Sequence, residues 1–71
     1  MEFGDNLRLL RKKRGLTQNE LSKIVGISRS YYSDIENGRV LPSGRILFEM
    51  NKVLKIFTFN DVNSVYSDRR N

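Results

Sequence analysis

Four interruptions limit what this chain can fold into: Gly15, Gly26, Gly38 and the segment LPSG at 41–44 break every long helical stretch. Glycine and proline punctuate helices more strongly than any other residues, so the chain can build only short helices joined by tight turns. The pieces between the breaks are of helix length, and none of them alternates as a strand would. Seventy-one residues suffice for one small domain around a single core. The expected architecture is an all-α compact bundle of about five short helices. The domain is expected over 1–66, with a polar tail, SDRRN, over 67–71.

The first piece places Phe3, Leu7, Leu10 and Arg14 in an i, i+4, i+7, i+11 series, a narrow apolar stripe with basic flanks and Leu9 off the stripe. Thr17 and Glu20 form a capping-box pair that starts the second helix, whose inward face would be Leu21 and Val25, with Ser22 small enough for a close neighbour. At Gly26 the pattern changes phase. Ser28 can cap a new helix that runs to Gly38, a residue suited to a left-handed stop. With about 100° per residue, Ser28, Tyr31, Tyr32 and Ile35 gather on one side of that third helix. Arg29, Ser30, Ser33, Asp34 and Asn37 occupy the opposite arc. A fourth helix, capped by Ser43, carries Ile46, Leu47, Met50, Val53 and Leu54, with Phe48 away from that face. A short fifth helix is expected from Thr58, holding Phe59, Val62 and Tyr66.

Composition narrows the chemistry. The chain has no cysteine and no histidine, so it lacks a disulfide framework, a thiolate metal site and the commonest general base. No cofactor is expected, and nothing supports an enzyme: there is no glycine-rich phosphate loop and no carboxylate pair beside an apolar pocket. No apolar run approaches the roughly 18 residues that would span a bilayer, which excludes a membrane partner and favours the cytoplasm. Thirteen Lys and Arg against eight Asp and Glu give a net charge of +5, a balance that suits a polyanion. The outward arc of the third helix is short-chained and polar. Serines keep such a helix slim enough for a groove roughly 12 Å wide.

Positions 18 to 37 resemble the helix-turn-helix of the Cro/repressor type, the family of small phage repressors and their bacterial relatives. The pattern's opening Gln, small fifth residue and ninth-position Gly are Gln18, Ser22 and Gly26 here. Its apolar positions are Leu21, Val25, Ile27, Tyr32 and Ile35. The likeness extends to LRLLRKKRGLTQ before the motif, to IENG at its end, and to Pro42 followed by RILFEMNKVLK, covering roughly residues 3 to 57. Tyr32 and Asn51 depart from it, since the family usually has an aliphatic and a small apolar residue there. A buried Tyr32 hydroxyl must find a partner.

The resemblance implies a lambda-repressor-like domain whose helix-turn-helix is made by helices 2 and 3, with helix 3 in the major groove of double-stranded DNA and helix 2 across it. Arg29 then falls at a base-reading position and can pair with guanine O6 and N7, or else contact phosphate or solvent. Ser30 and Ser33 share that arc. Asp34 would accept from a cytosine amino group or exclude wrong bases. Gln18, at a helix start, can hold a phosphate with the free backbone N–H groups there. Ser28, Asn37 and Arg39 offer further backbone contacts, although Ser28 and Asn37 can equally serve as caps. The family also implies that Arg11 pairs with Glu36, leaving Lys12 and Lys13 for long-range attraction. The function implied is a sequence-specific transcriptional regulator, a repressor binding a palindromic operator as a homodimer. A DNA-binding antitoxin and a protein-binding module on the same fold are the alternatives. The apolar surplus at Phe48, Phe57, Phe59, Val62 and Val65 places the dimer contact around residues 57 to 66.

Overall fold

The computed structural model describes residues 2–56. They form four helices, α1 (Phe3–Lys13), α2 (Gln18–Val25), α3 (Arg29–Glu36) and α4 (Gly44–Leu54), and no strand occurs among the described residues. The expected fifth helix, the dimer contact at 57–66 and the polar tail lie outside them. Helix α3 packs against α1 and α2, and α4 packs against the same two.

Local chemistry sets the helix boundaries. Thr17 and Glu20 form the reciprocal box, the Thr17 hydroxyl accepting from the Glu20 N–H at 3.0 Å and the Glu20 carboxylate from the Thr17 N–H at 2.8 Å. Ser28 and Ser43 cap α3 and α4 by accepting from the Tyr31 and Ile46 N–H groups. Gly26 has φ 88°, a left-handed backbone that costs a side-chain-bearing residue about 1 kcal/mol or more. Its N–H and that of Ile27 both donate to the Ser22 carbonyl, closing α2 and redirecting the chain toward α3. The glycine at this position is therefore a turn between two helices.

The core comprises Leu7, Leu21, Val25, Tyr32, Ile35, Ile46, Met50 and Leu54. Helix α2 buries the face expected of it, with Ser22 buried as well, and α4 buries Ile46, Met50 and Leu54 of its expected face while Leu47 and Val53 are partly covered. Leu9 and Phe48 are exposed, as their off-stripe positions require. Helix α1 differs from expectation. Its buried residues are Gly4, Leu7 and Arg11, whereas Phe3 and Leu10 are only partly covered and Arg14 faces solvent. The reason is steric and electrostatic. Gly4 lies against the backbone at the end of α3, so close that a Cβ there would fall 2.1 Å from the Glu36 carbonyl oxygen. Two turns further along the same face, Arg11 turns inward because Glu36 meets it.

Candidate nucleic-acid interface

Helix α3 is amphipathic in an unusual way: its inward face ends in a charge. Tyr32, Ile35 and Glu36 are buried, and the Glu36 carboxylate is held from three helices. Arg11 of α1 donates through Nε to Oε2 at 2.6 Å and through Nη2 to Oε1 at 3.4 Å. Gln18, the first residue of α2, donates its amide at 3.0 Å. Arg8 adds an Nε bond at 3.3 Å, and the Tyr32 hydroxyl donates from within α3. Arg11 also donates to the Leu16 carbonyl at 2.7 Å, tying the α1–α2 connection into the same group. No buried side-chain nitrogen or oxygen among the described residues is left unpaired.

Ionisation follows from this geometry. Burial pushes the Glu36 carboxyl up, but the bonds from Arg11, Tyr32 and Gln18 outweigh it and hold the group below its ordinary range. The Glu36 bond likewise raises the Arg11 guanidinium. Burial, and then the bond to Glu36, raise the Tyr32 hydroxyl, which stays a donor. A buried ion pair with this many donors is costly to break from either side.

With α3 fixed through its inner face, its outer face is open. Ser28, Arg29, Ser30 and Asn37 are exposed, and Ser33 and Asp34 are half-exposed. The predicted residues form two groups. Ser28, Arg29 and Ser30 lie at the start of α3; about 10 Å away along the helix axis, Ser33, Asp34, Asn37 and Arg39 gather toward its end. Gln18 lies beside the second group through its bond to Glu36. A carboxylate only accepts, so the amide NH2 must face Glu36, and that NH2 keeps a second hydrogen for another acceptor. Arg39 donates to Asp34 at 3.2 Å, and Asn37 donates to the Ser33 hydroxyl at 3.3 Å. Sequence reasoning passed over Arg8, which reaches both Glu36 and, at 3.5 Å, the Asn37 side-chain oxygen. Its position one turn before Arg11 on α1 was the available signal.

Among the described residues no cluster of acidic, His or Cys side chains could hold a metal, and no helix is long and apolar enough to cross a membrane. What the site offers is hydrogen-bond donors and acceptors on one narrow helix face.

The model of the helix-turn-helix family matches residues 7–58, and the chain belongs to that family of DNA-binding transcription regulators. It is 42% identical over 68 residues to the ImmF control region 10 kDa protein of Bacillus phage phi105, spanning 90% of this chain and 76% of that one. It is 41% identical over 54 residues to YazB of Bacillus subtilis, described as an uncharacterised HTH-type transcriptional regulator, with 76% and 78% of the two chains covered. The HTH-type transcriptional repressor RghR of the same bacterium is 42% identical over 55 residues, which are 76% of this chain and 41% of that protein. No solved structure matches.

Proposed function

We propose that the protein is a sequence-specific repressor that binds a palindromic operator as a homodimer in the cytoplasm. In this reading α2 and α3 are the two helices of the helix-turn-helix, and α3 lies in the major groove. The observation that carries it is the division of α3 into an inner face locked by Tyr32, Ile35 and Glu36 and an outer arc of small polar side chains led by Arg29. A helix held this firmly can present its outer arc in one register. Arg29, Ser30, Ser33 and Asp34 face base edges, with Arg29 on guanine O6 and N7. Ser28, Asn37 and the start of α2 at Gln18 hold phosphates, the last through backbone N–H groups at a positive helix end. The names of the relatives, a transcriptional repressor for RghR and a control region protein for the phage chain, support the regulatory reading.

Selection of duplexes from a randomised DNA pool tests it. Two half-sites about 10 to 10.5 base pairs apart are expected, with affinity that falls steeply as salt rises. Arg29→Ala should cost about 1–3 kcal/mol on the selected duplex and relax preference at one base pair per half-site. Equal losses on selected and unrelated duplexes would remove Arg29 from base reading.

A further inference from the structure

Asp34 and Arg39 are tied together twice. The Arg39 N–H donates to the Asp34 carbonyl at 2.9 Å, and the Gly38 N–H to the Ile35 carbonyl at 3.1 Å. These are the paired bonds of a Schellman ending, which the φ of 77° at Gly38 permits. The same turn brings Arg39 Nη1 to 3.2 Å from Asp34 Oδ1. The place of the guanidinium is thus set by how α3 ends. Both side chains face solvent, at 67% exposure for Arg39 and 41% for Asp34. An exposed pair of this kind adds little to stability, so its position on the outward arc calls for another use.

A bare carboxylate on that arc would meet phosphate repulsion. With Oδ1 held by Arg39, the pair is locally neutral and Oδ2 remains as an acceptor. An acceptor can read only a donor, and the donors on the major-groove edge are the cytosine N4 and adenine N6 amino groups. We propose that Asp34 reads one of these exocyclic amino groups, and that Arg39 is the positioning residue that holds the carboxylate for it. Arg39 is then not a phosphate clamp. The assignment rests on the entry of α3 into the major groove proposed above.

The experiment uses the full chain and a duplex selected by it from a randomised double-stranded DNA pool. Wild type, Asp34→Ala, Asp34→Ser, Arg39→Ala and the Asp34→Ala/Arg39→Ala double variant are titrated against that duplex. Its single-base-pair variants and an unrelated duplex are measured in parallel over a range of salt, after circular dichroism has shown that helical content is kept. Both Asp34 variants should lose roughly tenfold on the selected duplex and relax preference at one pair per half-site. A preference for C·G at that pair identifies cytosine, and one for A·T identifies adenine. Arg39→Ala should lose a similar factor, add nothing in the Asp34→Ala background, and leave the salt slope unchanged. If Arg39→Ala weakens all duplexes alike and flattens the salt slope in both backgrounds, Arg39 is a phosphate clamp and the proposal is wrong. Preferences that survive both Asp34 variants overturn it as well. If the wild-type chain enriches no sequence, the groove reading falls first and this assignment with it.

Discussion

Arg11 Nε lies 2.6 Å from Glu36 Oε2, with the two side chains 9% and 0% exposed, so α1 and α3 are joined through a buried ion pair. Removing one partner of such a pair costs about 3–5 kcal/mol, because the other charge is left buried. Small domains have roughly 5–15 kcal/mol in total. Arg11→Ala should therefore remove a large share of the total and lower the denaturation midpoint markedly. Arg11→Lys should recover only part of the loss, since a point charge cannot serve both Glu36 and the Leu16 carbonyl as the guanidinium fork does. Urea denaturation followed by circular dichroism measures both.

The Tyr32 hydroxyl gives a milder test of the same group. Hydrogen bonds to charged groups contribute about 1.5–3 kcal/mol. Tyr32→Phe keeps the buried ring and should cost close to the lower end, since Glu36 retains Arg11, Gln18 and Arg8 as donors. A cost near zero in thermal melts would show that the bond does not contribute to the fold.

Acid should weaken the domain through Glu36. Its folded-state carboxyl lies below the ordinary 4.5, so its contribution is fully present above that value and is lost as pH falls through the lower folded value. Tyr32 acts at the other end: raised above its ordinary 10.0, it makes stability fall as pH climbs past 10 and the unfolded chain loses the proton first. Melting temperature against pH should decline on both flanks. Tyr32→Phe should remove its share of the alkaline decline, and an alkaline limb unchanged in that variant would contradict the assignment.

Two glycines separate close packing from open space. Gly4→Ala would drive a methyl group against the Glu36 carbonyl, and overpacking of this kind costs about 1–3 kcal/mol or more. Gly44, in the first turn of α4, has nothing within 4 Å of where a Cβ would be. Gly44→Ala should instead stabilise by about 0.4–1 kcal/mol by restricting the unfolded chain. Opposite signs in paired denaturation curves are the expected result.

Much of this architecture could be read from residues that act locally. Thr17 with Glu20, Ser28, Ser43 and Gly26 mark helix ends through bonds to neighbours in sequence, and the inward faces of α2 and α4 follow from apolar spacing alone. Helix α1 was harder. Its packing turns on Gly4, which offers no side chain for a hydropathy pattern to register, and on Arg11, which is buried only because a partner 25 residues away meets it. The resemblance to known repressors, and not periodicity, suggested that pairing. The outward arc of α3 was legible because it is what remains once the inner face is assigned. The link between Asp34 and Arg39 was not, since it depends on how the chain turns at Gly38.

The inner and outer faces of α3 answer to different demands, and this has an evolutionary consequence. Tyr32, Ile35 and Glu36 hold the helix, while Arg29, Ser30, Ser33 and Asp34 leave the core untouched. Substitutions at those four outer positions can accumulate without passing through an unstable intermediate. On the base-reading role proposed for these residues, a lineage carrying this scaffold can drift from one recognition sequence to another while the frame around Glu36 stays constant.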